Sequence, residues 1–152
     1  MFPVKTVLCP TDFSGPSHEA LKIAREFASH FDAGLLLFHV VPVMPPLAND
    51  PNYVLMVPEY ERLLHQEADE KLAHLVGEMA QGGTQARTMV GHGDAASEIV
   101  RIADLEKADL IVIATHGTTG WRRFVFGSVA ERVVRLASCP VLTIRNPQEE
   151  RP

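Results

Sequence analysis

The sequence predicts a single doubly wound α/β domain, a sheet of five parallel strands with helices on both faces. Five short runs rich in Val, Ile or Leu alternate with four stretches of helical periodicity. Two of those runs are apolar throughout instead of alternating, as strands covered on both faces are. The 152 residues, 46% hydrophobic and 22% charged, suffice for one well-buried core and fit one domain better than two. Strand and helix in alternation impose parallel strands with right-handed crossovers.

The first strand is read as Val4–Leu8. The helix after it starts near Ser14 with Pro16 in its first turn, where a missing N–H costs little, and presents Ala20, Ala24, Phe27, Ala28 and Phe31 on one face. The second strand is Leu35–Val41, and the Pro-rich stretch from Pro42 to Pro58 is the one long loop, a length that usually signals function. The second helix runs from about Pro58 to Met79 with Leu64, Ala68, Leu72, Leu75 and Met79 as its stripe, and the Gly82–Gly83 pair stops it. Ala86–Val90 is the third strand. Gly91 to Asp94 then turns into a third helix that starts at Asp94, its N-cap, and carries Ile99, Ile102 and Ala103. Leu110–Ala114 is the fourth strand. The fourth helix opens at Gly127–Ser128, carries Val129, Val133 and Leu136, and stops before Pro140. Val141–Ile144 is the fifth strand. The domain takes residues 1–146 and leaves 147–152 as a C-terminal tail.

Bulk properties exclude several classes. A net charge of −5 argues against a nucleic-acid binder, which needs a basic face to neutralise phosphates. No run approaches the 18 or so apolar residues of a membrane span, and Asp12 falls where the apolar segment of a leader would continue. Cys9 and Cys139 are far apart and form no metal spacing, so reduced thiols in a cytoplasm are expected. The seven histidines include no HExxH or comparable pair, so no metal held by the protein alone is expected.

In open parallel sheets, ligands bind outside the carboxyl ends of the strands, where the winding reverses. The loop after the fourth strand, Ala114 to Ser128, carries Gly117, Gly120 and Gly127 and ends on a helix N-terminus. Glycines let backbone approach a bulky anion, and the N–H groups of the helix's first turn, aided by its dipole, then point at it. The same residues also fit a capping box, Ser128 to Glu131, in which Ser128 only satisfies backbone donors. Residue chemistry leaves the two readings open. No Lys-Ser or Lys-Thr follows the glycine, so it is not a Walker A loop. Opposite this loop, Asp12 follows the first strand, and a carboxylate there can accept both hydroxyls of a ribose; alternatively it is a loop or cap residue.

These segments carry a resemblance. Val7-Leu8-Cys9-Pro10-Thr11-Asp12-Phe13-Ser14, Leu37-Phe38-His39-Val40-Val41, and the block from Ile111 through Gly117, Gly127 and Ser128 to Cys139-Pro140-Val141-Leu142 resemble the universal stress protein family. Its nucleotide-binding members carry Gly-x2-Gly-x9-Gly-(Ser/Thr). Gly117, nine residues, Gly127 and Ser128 match that spacing, while Ala114 stands in place of the first glycine. The resemblance implies an adenine-nucleotide α-hydrolase-like, Rossmann-like sheet of order 3-2-1-4-5. It implies bound ATP, or AMP or ADP, with Pro10, Thr11 and Val40 beside adenine and Asp12 on the ribose. Ile113 and Ala114 would meet adenine and ribose, and Gly117, Gly127, Ser128 and Val129 the phosphates. Any Mg²⁺ would arrive through those phosphates and water. The resemblance also implies a homodimer through the last strand, around Val141 to Arg145, which would otherwise be an apolar open edge.

Arg122 and Arg123 lie inside the nine-residue spacer, where guanidiniums can pair with a phosphate or stay solvated. His116 precedes Gly117, and with no nucleophile at fixed spacing a positioning role fits it better than general-base catalysis. The leading functional expectation is therefore a stress-responsive regulatory protein that binds an adenine nucleotide, hydrolyses it slowly at most, and acts through a protein partner. The alternatives are an enzyme of adenylyl transfer or pyrophosphate cleavage, and a partner-binding module without ligand. A phosphoacceptor receiver domain is disfavoured, since the first strand ends in a single aspartate and no lysine follows the fifth.

Overall fold

In the computed structural model β1 (Thr6–Pro10), α1 (Gly15–Phe31), β2 (Gly34–Val41), α2 (Pro51–Ala80), β3 (Ala86–His92), α3 (Ala95–Leu105), β4 (Leu110–Ala114), α4 (Ser128–Leu136) and β5 (Val141–Ile144) follow one another along the chain. The structure describes residues 3–43, 51–80, 83–116 and 127–145, with the side chains of 51–55 excepted. The expected tail, residues 147–152, lies outside them.

The five strands form one parallel sheet in the order β3-β2-β1-β4-β5. The winding reverses between β1 and β4, so their carboxyl ends flank the crevice where such sheets hold ligands. Because successive strand side chains point to opposite faces, one apolar run feeds two cores. Val7, Cys9, Leu35, Leu37 and Val112 pack with Leu21, Ala24 and Ala28 of α1 and Leu72, Leu75 and Met79 of α2. Leu8, Leu36, Phe38, Ile111 and Ile113 pack with Ile99 and Ile102 of α3 and Ala130 and Val133 of α4. Truncating a fully buried side chain such as Leu72 costs about 2–5 kcal/mol.

β3 runs on through Gly91 and His92, read as turn, because both pair with β2 at Val40 and Val41, and four further sequence expectations need correction. β1 begins two residues later than read, because the amides of Lys5 and Thr6 are taken by the Asp109 carboxylate at 2.8 and 3.0 Å and the ladder to β2 starts at Thr6–Gly34. α2 starts at Pro51 and keeps Pro58 inside it, so residues 51–57 are helix, not loop. A proline there forfeits one i to i−4 hydrogen bond, which the long flanking turns outweigh. On α4 the buried residues are Ala130 and Val133, whereas Val129 and Leu136 are exposed. Finally, the N-cap of α4 is Gly127, which makes Ser128 the first helical residue and removes the capping box read there.

The cap of α3 forms as read, and Ser14, expected only near the start of α1, is its N-cap. Ser14 caps α1 by accepting from Ser17 N–H, and Asp94 caps α3 in the same way through Ser97. Gly91 is required by packing, since a Cβ there would lie 2.6 Å from the Phe38 ring. Cys9 and Cys139 are free thiols, and burial pushes Cys9 up to about 12.

Candidate functional site

Strand β1 ends in Pro10, and the chain then turns sharply into α1. Thr11 is held from four directions. Its N–H donates to the Phe38 carbonyl at 2.9 Å, its carbonyl is met by His39 Nδ1 at 2.8 Å, its hydroxyl pairs with Ser17 Oγ at 3.0 Å, and Phe13 N–H donates to that hydroxyl at 3.0 Å. The corner forces Phe13 to φ +63°, a left-handed conformation that costs a non-glycine residue about 1–2 kcal/mol. Asp12 sits exposed at the tip, where its Oδ1 accepts from Ser14 N–H at 3.1 Å and from the Ser14 hydroxyl. Both functions read for Asp12 from sequence are thus compatible: it shapes the turn with one oxygen and stands on the cleft rim.

On the other side of the switch point, β4 ends in Ala114, and Thr115 follows it. The Thr115 N–H donates to Ile144 of β5 at 2.9 Å, and its carbonyl accepts from Gly127 N–H at 2.6 Å. This clasp places the start of α4 directly beyond the end of β4. It also explains Gly127, since a Cβ there would lie 3.0 Å from that carbonyl. Gly127 brings no side chain to the first turn. Of the orphan donors every helix start exposes, Gly127 N–H is satisfied by Thr115 and Glu131 N–H by Gly127. Among the described residues, nothing accepts from the amides of Ser128, Val129 and Ala130. Such a first turn attracts anions through its N–H groups and dipole.

The two corners border one cleft of about 250 Å³, lined by Pro10, Thr11, Asp12, Val40, Ile113, Ala114, His116, Gly127, Ser128 and Val129. Of the ligand-site residues expected from sequence, Gly117, Arg122 and Arg123 lie outside the described residues, as does Gly120 of the same loop, and the others meet here. Ala114 is buried and absent from the non-glycine residues with positive φ, so its methyl brings no backbone strain. His116 is half-buried, with Nδ1 2.9 Å from Thr115 Oγ1. Among the described residues, no three His, Cys, Asp or Glu converge as a metal site.

Sequence reasoning missed part of the wall. Ser17, Phe38, His39, Ala95, Ile99 and Thr115 also line the cleft. Ile99 was legible as core, but its reach from α3 to the cleft depends on the helix's placement. His39 carried a signal that went unused: a polar residue in an otherwise apolar strand needs a partner. Burial lowers its pKa, against the opposing effects of the Thr11 carbonyl and Asp12.

Residues 3–145 match the model of the universal stress protein family. A universal stress protein of Methanocaldococcus jannaschii is 39% identical over 148 residues, covering 96% of this chain and 85% of the relative. The solved universal stress protein UspA from Lactobacillus plantarum matches in fold with a TM-score of 0.85, at 24% identity over 95% of this chain and 100% of that one. A universal stress protein solved in complex with cAMP is 26% identical, with a TM-score of 0.62 over 95% of this chain and 98% of that one. Among the described residues, no helix is long and apolar enough to cross a membrane. The sheet order, the crevice at β1 and β4, and a family match that runs through every strand agree, and this chain belongs to the universal stress protein family.

Proposed function

We propose that this protein binds an adenine nucleotide (ATP, or AMP or ADP) in the cleft at the carboxyl ends of β1 and β4. In this reading it regulates a stress response through conformation and a protein partner, with slow hydrolysis at most. The observation that carries the reading is the first turn of α4, with three amides that no described residue engages, facing Asp12 across one cleft. A polyanion fits those amides, and a sugar fits the carboxylate beside them. The apolar wall of Val40, Ile113 and Ala114 suits a base, with Pro10 and Thr11 on its edge. Gly117, Arg122 and Arg123 would extend the phosphate end. The relative solved with cAMP supports the ligand class.

We read the cleft as a site of binding and not of rapid turnover, with Thr115 and His116, 2.9 Å apart, as part of its wall. Mg²⁺, where present, would be held by the phosphates and water. The proposed setting is the cytoplasm, with both thiols reduced. We also propose a homodimer in which β5 pairs with its mate. β5 is the last strand of the sheet, and all four of its residues are half-buried although three are large and apolar, an edge that invites pairing. Sedimentation of the wild type as a monomer would overturn the dimer.

Chromatography of nucleotide released when freshly purified protein is denatured tests the site reading, together with calorimetric titration. Released or titrated adenine nucleotide is the expected result. Millimolar ATP and AMP giving neither heat nor a thermal shift would overturn it, and rapid turnover with a specific acceptor would replace it with the enzyme reading.

A further inference from the structure

Among the described residues, His39 is the one titratable side chain built into the cleft wall from within the sheet. Its Nδ1 lies 2.8 Å from the Thr11 carbonyl. A carbonyl only accepts, so Nδ1 carries the proton and the neutral ring leaves Nε2 as an acceptor. The ring centroid lies 4.5 Å from that of Phe13, the residue in the left-handed conformation, and Lys71 Nζ of α2 lies 5.3 Å from the same Phe13 ring. Phe13 is joined on one side to Asp12 and on the other to the cap residue Ser14. The imidazole therefore touches the corner at two points, a hydrogen bond before Asp12 and a ring contact after it.

We propose that His39 is a positioning residue for the ligand site, holding the Thr11–Phe13 corner in the one shape that presents Asp12 to the cleft. The ligand half of this inference rests on the adenine-nucleotide reading; the tautomer half stands on the hydrogen bond alone. Other groups at this corner leave the task to His39. Ser17 fixes the Thr11 hydroxyl and Asp12 fixes Ser14, but among the described residues only His39 donates to the Thr11 carbonyl. The strain at Phe13 needs such surroundings to persist.

The test compares wild type with His39→Leu, His39→Asn and His39→Gln, each checked for folding by circular dichroism and titrated with AMP and ATP. Asn places an amide donor where Nδ1 stands, and Gln reaches to where Nε2 stands. The expected result is about a tenfold loss of affinity in His39→Leu and His39→Gln, the scale of one hydrogen bond, with His39→Asn restored to near wild type. In an Asp12→Ala background, His39→Leu should add no further loss. Nitrogen-15 shifts of the His39 ring should report the Nδ1–H tautomer without any ligand. Wild type that binds no adenine nucleotide overturns the site reading. Wild type that binds, with His39→Leu and His39→Gln binding as well, or an Nε2–H tautomer, overturns the role of His39 alone.

Discussion

Helices α3 and α4 both begin at the carboxyl edge of the sheet and line the same cleft, yet their first turns are finished in opposite ways. At α3, Asp94 Oδ1 accepts from Ser97 N–H at 3.1 Å and from the Ser97 hydroxyl at 2.6 Å. Arg132, which belongs to α4, donates to the other carboxylate oxygen at 2.9 Å. That guanidinium and Ser97 hold the Asp94 carboxyl far below the usual carboxylate range. At α4 the corresponding position is Gly127, which supplies nothing. One helix caps its first turn with its own carboxylate, and the other brings no side-chain cap to its first turn. The difference comes down to one side chain at one position, so it can be exchanged.

Exchanging it gives the largest expected effect. Gly127→Asp would offer α4 the kind of cap α3 has and put a negative charge where the proposed phosphates sit. Adenine-nucleotide affinity should fall by more than about tenfold, since a charge-assisted set of donors is lost and a like charge added. The new Cβ presses on the Thr115 carbonyl at 3.0 Å while the cap returns some stability, so the melting temperature should move by no more than about 4 °C. Calorimetry and a thermal melt separate the two. Unchanged affinity would mean that the first turn of α4 meets no anion.

The reciprocal change strips the closed helix. Asp94→Ala removes the cap of α3 and should cost about 1 kcal/mol at pH 7, a fall of roughly 2–4 °C for a chain of this size. Nucleotide affinity should be unchanged, because Asp94 is not part of the cleft lining. The folded carboxyl lies below its ordinary value of 3.8, so its contribution is present above that pH and fades as pH falls through the folded value. Wild type and variant should therefore converge in stability in acid. A persistent gap there would show that the carboxylate's charge is not what stabilises the cap.

The contrast between these helices was only half legible in the sequence. Asp94 announced itself as a cap because it closes a glycine-containing passage from strand to helix, although Gly91 proves to lie within the strand. At α4 the Ser128–Glu131 spacing suggested a cap one residue too late, and no local rule separates Gly127 from Ser128 as the boundary. The phase of α4 was equally hidden. Val129, Ala130, Val133, Val134 and Leu136 surround a nine-residue helix, and which of them turn inward is fixed by where α3 lies. Longer elements gave more away. Of the stripe Leu64, Ala68, Leu72, Leu75 and Met79, all but the half-buried Leu64 are buried as read, since a long helix samples its period several times. The continuous apolar runs of β2 and β4 predicted two-sided burial, and both are covered. Asp12 and Gly127 were legible as partners because the topology, once known, brings the ends of β1 and β4 together. His39 and Thr115 were not, since what they hold is backbone.

A smaller effect concerns the response of the β1 corner of the cleft to acid. The half-buried His39 ring has its pKa lowered from 6.5, chiefly by burial and further by Lys71 and His65, with the Thr11 carbonyl and Asp12 acting the other way. Below pH 6.5 the unfolded chain takes up a proton that the folded one resists, so this stability is complete above 6.5 and is lost as pH drops through the folded value. His39→Asn cannot titrate, and the slope of its stability against pH below 6.5 should be shallower than that of wild type. Parallel slopes in urea titrations would place the acid sensitivity elsewhere.

The smallest expected effect concerns the position where this chain departs from the glycine motif. A glycine there would be needed if the backbone took a positive φ or if a methyl blocked the ligand. Ala114 instead closes a regular parallel ladder opposite Ile144, and it does so in an ordinary strand conformation. Its methyl is already part of the apolar wall proposed for the base. Ala114→Gly should therefore leave adenine-nucleotide affinity within about threefold, while the added chain freedom in a strand costs about 0.5–1 kcal/mol of stability. Affinity and stability would then move separately, opposite in pattern to Gly127→Asp, where affinity carries the change. A large gain in affinity on restoring glycine would mean that the methyl had been excluding part of the ligand, and would shift the weight of recognition from the first turn of α4 to the end of β4.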